Sequence, residues 1–180
     1  MLKTPNSLVS IPQFVHYFED ETLNFHQITI KSGFEGPNHP PCIEHESSVL
    51  KYPNFIIPAH HRSITTPSGD VILTGGVDLI TRKSISKAYQ FNPMCKHLEL
   101  IEPMISPRSS HGMVYHDGYV YVVGGNTYGG IDYGEVATPT CERFCVSFKK
   151  KWTPVAELNC PAKEPCVVAY KQNILKFGGK

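Results

Sequence analysis

Three short apolar segments of this chain each run into a pair of glycines, and no other feature limits the fold so tightly. They are Gly69-Asp-Val-Ile-Leu-Thr-Gly-Gly76, Gly118-Tyr-Val-Tyr-Val-Val-Gly-Gly125 and Gln172-Asn-Ile-Leu-Lys-Phe-Gly-Gly179. The first glycines of the pairs stand 49 and 54 residues apart. Val, Ile and Tyr dominate the runs, as expected of strands. A glycine pair closing a strand marks a sharp bend or a close approach of backbones. Self-similarity at a fixed spacing means that one supersecondary unit is built several times over.

A period of about 50 residues with four strands per unit is the spacing of a propeller blade. The middle unit shows the plan best. Its inner segment is Pro107-Arg-Ser-Ser-His-Gly-Met-Val-Tyr115, followed by a turn at His116-Asp-Gly118. Asp-Gly between apolar runs is a strong hairpin signal, because the turn needs positive φ and glycine supplies it at little cost. Tyr119 to Val123 reads as a strand buried on both faces between neighbouring blades. Arg143–Val146 and Lys151–Val155 read as the third and fourth strands. Phe144 and Trp152 lie eight apart, and the spacing recurs as Tyr89 to His97 and as Tyr17 to Phe25. Across a hairpin, such positions bring two rings together. Trp152 therefore reads as a core anchor.

Composition removes several function classes. With 17 basic and 16 acidic residues the formal net charge is +1. No basic surplus points to nucleic acid or an anionic membrane. No apolar run is long enough to span a bilayer. The six cysteines form no Cys-x-x-Cys pair, and a reduced, cytoplasmic protein is the expectation.

The units resemble the kelch repeat: an Arg-bearing first strand, a double glycine after the second, an aromatic on the third, a Trp on the fourth. Residues 107–158 match best, with Arg108, Gly118, Gly124, Gly125, Glu142, Phe144 and Trp152. The resemblance implies an all-β chain of kelch-type β-propeller blades, each of four antiparallel strands, in an incomplete ring. The expected organisation is a half blade at 14–30, a long loop at 31–57, blades at 58–104 and 107–158, and a half blade at 161–179. Joining the two halves gives three blades, fewer than propellers use. The chain then reads as a fragment of a longer propeller, as a homodimer completing a six-bladed ring, or as an open, partly ordered arc.

Binding residues of such folds sit on loops at one end of the ring, which vary while the sheets stay fixed. The resemblance places Arg108 where pocket arginines meet acidic peptides, through two parallel hydrogen bonds. Its competing role is a structural pairing with a neighbouring acid. Ser109 stands beside it. Asn126 and Tyr128 open the segment Asn126-Thr-Tyr-Gly-Gly-Ile-Asp-Tyr-Gly134, whose Tyr and Gly content suits an adaptable surface. Arg62 lies three residues off the Arg108 register.

Chemistry has less to stand on. His39, Cys42, Glu44 and His45 lack a scaffold and a second Cys-x-x-Cys half, so no metal site is expected. Cys141 and Cys145 share a strand face and read as small buried groups. No catalytic motif is present. The expectation is a non-enzymatic interaction module without cofactor, binding a protein or peptide, as an adaptor or ubiquitin-ligase substrate receptor. The alternative is part of an oxidase- or isomerase-like propeller, with His111 and Tyr115 on an inner strand.

Overall fold

The computed structural model describes residues 13–18, 24–31, 42–49, 56–128, 134–148 and 151–179. These residues form strands and connections, with no helix and hence none long and apolar enough to cross a membrane. The first sheet is three antiparallel strands in sequence order: β1 (Gln13–Phe18), β2 (Asn24–Lys31) and β3 (Cys42–Val49). The first full blade is β4 (Arg62–Thr65), β5 (Val71–Thr74), β6 (Ala88–Asn92) and β7 (His97–Ile101).

The second full blade begins with β8 (Gly112–His116) and β9 (Tyr119–Val123). A small side hairpin follows, β10 (Asn126–Tyr128) with β11 (Glu135–Ala137). The blade is completed by β12 (Cys141–Cys145) and β13 (Trp152–Val155). A last hairpin joins β14 (Cys166–Tyr170) to β15 (Asn173–Phe177). The innermost strands β1, β4, β8 and β14 lie side by side in that order. Among the described residues the sheets do not close into a ring.

Local sequence explains the hairpins. His116 pairs with Tyr119, so Asp117 and Gly118 form a two-residue turn, both with positive φ (46° and 83°). That is the mirror-image turn whose twist matches the flanking strands. The first two glycine pairs close their second strands against the next inner segment. The Gly76 N–H donates to the Arg108 carbonyl and the Gly125 N–H to the Ala162 carbonyl, each at 2.9 Å. A Cβ on Gly75 would lie 2.2 Å from the Arg108 carbonyl, and one on Gly125 2.5 Å from that of Ser109. No side chain fits either position.

The core between the two full blades is apolar on both sides. Ile72, Ala88, Ile101 and Met104 meet Val120, Val122, Phe144 and Trp152. Phe144 and Trp152 are direct cross-strand partners, with ring centroids 5.2 Å apart. The indole N–H donates to the Glu102 carbonyl of the preceding blade at 2.8 Å, so the one polar atom of the ring is satisfied in the core.

Several expectations differ from the structure. Tyr89 and His97 are not partners: β6 and β7 turn more tightly, pairing Phe91 with Leu98 and Asn92 with His97. Phe91 is buried in the place of Phe144, and His97 is exposed. The N-terminal hairpin pairs Phe18 with Phe25 and Tyr17 with His26. Because β1 lies beside β4, this hairpin holds the inner positions of a sheet, where the spacing of rings suggested outer ones. The expected long loop at 31–57 contains β3, which pairs with β2 along eight residues. Its polar sequence lacks an apolar alternation, and the backbone ladder of β2 supplies the order. Counting three blades per chain needs that hairpin in outer positions, which the order of β1 beside β4 does not give it.

Strand β9 is buried on both faces only in part. Val120, Val122 and Val123 are buried, whereas Tyr119 and Tyr121 are half-exposed. The face they point to is covered along its inner edge by β14, with Val167 against Gly112.

The Trp152 packing sets a test of the blade-to-blade core. Trp152→Ala is expected to destabilise the chain by about 3–5 kcal/mol, the usual cost of deleting a buried ring. Trp152→Phe should cost less, losing mainly the bond to Glu102. Chemical denaturation followed by tyrosine fluorescence measures both.

Candidate functional site

Arg108 does not face a ligand. Its side chain is 0% exposed. One guanidinium nitrogen donates to the Gly124 and Thr140 carbonyls, both at 2.8 Å. The other donates to Thr140 Oγ1 at 3.0 Å and to Glu142 Oε1 at 2.6 Å. Glu142 also accepts from the backbone N–H of Ile105 at 2.7 Å and of Ser106 at 3.0 Å. The expected pocket arginine is thus a structural clamp, because the acid that satisfies it stands on the third strand of its own blade. Strand register puts Pro58 in the place of Arg108 in the first full blade and Tyr89 in that of Glu142. Cation and carboxylate are present together or absent together, as the cost of burying either alone requires.

Arg62 is also engaged. It begins β4, in register with Gly112, and its Nε donates to the His111 carbonyl at 2.9 Å across the blade junction. His111 is walled in at 0% exposure, with Nε2 2.8 Å from Thr74 Oγ1. Burial holds its pKa well below the ordinary 6.5, and the nearby positive groups Arg108, Arg62 and His61 push the same way. Tyr115 packs half-buried against the core.

The remaining expected residues do come together. Ser109 and Asn126 exchange backbone hydrogen bonds at 2.9 and 2.8 Å. Around them lies Glu135, at the start of β11. Its Oε1 accepts from Ser84 Oγ at 2.7 Å and Ser109 Oγ at 3.1 Å, and its Oε2 from Asn126 Nδ2 at 3.4 Å. Ser109 itself is fully buried, so it shapes the cluster rather than touching a ligand. Tyr128 is half-exposed, and the Lys83 ammonium sits 4.7 Å from its ring centre, a cation–π contact. Beside the cluster a cavity of about 320 Å³ is lined by Asn126, Lys163, Glu164 and Gly179.

Sequence reasoning missed Ser84, Lys83 and Glu135. Glu135 follows Gly134 at the far end of a stretch that reads as a loop, and only the pairing of Tyr128 with Glu135 returns it to the cluster. Residues 129–133 lie outside the described residues, as does His39. Cys42, Glu44 and His45 lie on β3. Among the described residues no group of His, Cys, Asp or Glu is placed to hold a metal ion.

Comparison with known proteins agrees with this geometry. Residues 107–159 match the family model described as "Kelch motif". The second full blade is thus a kelch motif. It is similar to "Beta-scruin" of Limulus polyphemus, 28% identical over 149 residues, which is 76% of this chain and 16% of that protein. It is also similar to "Kelch-like protein 9" of Mus musculus, 23% identical over 99% of this chain and 27% of that protein. The chain therefore spans about a sixth to a quarter of these relatives' length. A solved structure titled "Structure of YjhT" shares the fold at a TM-score of 0.66 and 12% identity, covering 98% of this chain and 59% of that one. The clamp residues Arg108 and Glu142, both glycines and Trp152 all fall inside the matched kelch motif.

Two predictions follow from the kelch core. Arg108→Ala strands the Glu142 carboxylate in the interior and should cost about 3–5 kcal/mol. Adding Glu142→Ala should return part of it, which denaturant melts of the single and double variants measure. His111 makes stability fall with acid. Below its unfolded value near 6.5 the unfolded chain binds a proton that the folded chain refuses. From about pH 7 to about pH 5 that proton should weaken folding by up to about tenfold per pH unit, and His111→Gln should flatten the dependence.

Proposed function

We propose that this kelch chain is a non-enzymatic protein-interaction module that binds a protein or peptide at the loop end built by Asn126, Tyr128, Lys83, Lys163 and Glu164. The observation that carries the reading is the Glu135 cluster. Side chains from the Ser84 loop, the Ser109 segment and both strands of the β10–β11 hairpin are tied to one carboxylate. Such ties fix three loops relative to one another before any partner arrives, which lowers the ordering cost of binding. On that base stand an aromatic ring with a cation over it and an open cavity with one charge of each sign on its rim. An aromatic ring within a polar, solvent-accessible rim is the composition of binding surfaces.

Arg108, Ser109 and Arg62 act beneath this surface and hold it in place. In a longer protein the module serves as an adaptor or as the substrate receptor of a ubiquitin ligase, in the cytoplasm. An oxidase- or isomerase-like chemistry gains nothing from His111, which is sealed from any ligand.

Tyr128→Ala combined with Lys83→Glu is expected to reduce partner capture at least tenfold, a loss of about 1.4 kcal/mol. The measurement is quantitative proximity labelling with the intact chain and the double variant, alongside thermal melts. Equal labelling by two equally stable chains would place the binding face elsewhere.

A further inference from the structure

The first full blade lacks the clamp that seals the second. Strand register and the bonds of the glycine pairs put Ile56, Pro58, Lys87 and Tyr89 in the places of Ser106, Arg108, Thr140 and Glu142. In the second blade the Arg108 guanidinium fills that space, and Glu142 neutralises it. Proline has neither the reach nor the charge to do so. The first blade instead has a cavity of about 170 Å³, and all four replacing residues line it.

Its position ties the cavity to the loop end. One wall is the segment leading into β4, and the other is the segment leaving Gly76. The second segment also carries Lys83 over Tyr128, and its Ser84 is tied to Glu135. The cavity and the Glu135 cluster therefore flank one loop.

The walls are apolar, with one available charge. Ile80 is 93% exposed and Ile56 57%. Single exposed apolar residues are ordinary, but two at one opening, with Pro58 and Leu79 beside them, make a patch. Asp78 spends one carboxylate oxygen on its own turn. It accepts from the Ile80 N–H at 3.1 Å, the Thr81 N–H at 2.7 Å and the Thr81 hydroxyl at 2.9 Å. Lys87 is exposed, and among the described residues no carboxylate pairs with its ammonium. Where Glu142 answers the cation of the second blade, the first has the uncharged Tyr89. Cavities for drug-sized ligands begin at about 300 Å³, so this one suits a single large side chain.

We propose that the cavity is an anchor socket for one large apolar side chain of a partner peptide, with an adjacent carboxylate paired to Lys87. This deepens the loop-end reading and rests on it in one respect, that the peptide belongs to the partner held beside Tyr128. Side chains seated in pockets carry most of the energy of such contacts. The carboxylate selects the neighbour of the anchor more than it adds affinity, and a basic neighbour meets Lys87 as a like charge.

The test uses the intact chain labelled at its isoleucine methyls. The probe is hydrocinnamate, a phenylalanine-like ring bearing one carboxylate. Methyl NMR titration is expected to move Ile56, Ile80 and Ile85 along saturable curves and to leave Ile72 and Ile101 of the blade-to-blade core in place. Acetate, which has the charge without the ring, should move none of them. The neutral amide of the probe should bind about threefold more weakly, the size of an exposed ion pair, and Lys87→Gln should abolish that difference. Pro58→Arg with Tyr89→Glu rebuilds the clamp of the second blade and should weaken the probe at least about tenfold. Ile80→Glu should do the same, and its exposed position keeps the test open if the rebuilt clamp fails to fold. Shifts confined to other isoleucines, an equal response to acetate, equal affinity of acid and amide, or binding that survives Ile80→Glu overturns the proposal. So does a concentration-dependent dimer in sedimentation that Ile80→Glu dissolves, since that makes a second copy the occupant. Tyr128→Ala with Lys83→Glu should leave probe binding intact. If partner labelling survives that double variant while the probe binds, the loop-end face fails and the socket stands. Labelling lost there but intact in Ile80→Glu keeps the face and overturns the socket.

Discussion

Everything in this chain depends on how closely the backbone of one repeat lies against the glycine pair of the repeat before it. The amides of Gly76 and Gly125 bond to carbonyls of the following inner segment, at Arg108 and Ala162. Positive φ at both pairs turns the chain out of the second strand at the point where the next unit must pass. That approach fixes the angle between successive sheets. The angle in turn sets Phe144 and Trp152 over Ile72 and Ala88, and draws the Ser109 segment against Asn126. A wider separation would leave the core unfilled and the loop cluster apart. Gly178 shows the same conformation with nothing within reach of a Cβ, because no further inner segment lies against it among the described residues.

The parts of this design that repeat were legible in sequence, because repetition is a pattern that spacing records. The glycine pairs, the Asp117–Gly118 turn and the Phe144–Trp152 partnership all follow from residue type at fixed offsets. The N-terminal sheet was not legible for the complementary reason. Tyr17 and Phe25 imitate the spacing of an outer hairpin, and only the position of β1 beside β4 reveals an inner one. Strand β3 gives no alternation because its order comes from pairing with β2.

The site was legible in position and not in role. Arg108, Ser109, Asn126 and Tyr128 do cluster near the junction of the two full blades. Which of them faces solvent depends on an acid far away in sequence. Glu142 lies 34 residues beyond Arg108 and draws its guanidinium inward. Glu135 lies 26 residues beyond Ser109 and fixes its hydroxyl. Neither pairing has a local signature, since a carboxylate on a strand reads as solvated until the strand is placed.

Burial of Arg108 also decides what kind of surface the loop end can be. A free arginine fork would favour a carboxylate in paired geometry. With that fork consumed by Thr140 and Glu142, the charges left at the surface are Lys83, held over Tyr128, and the opposed pair Lys163 and Glu164. A mixed rim of this kind rewards shape and apolar contact with the Tyr128 ring more than charge. The outer strands treat their arginine differently: the Arg143 guanidinium lies over the Tyr119 ring, 4.5 Å from its centre. One blade thus uses its two neighbouring arginines at different depths. Arg108, fully buried, holds the blade together through Glu142, and Arg143, on the third strand beside it, is engaged by the Tyr119 ring.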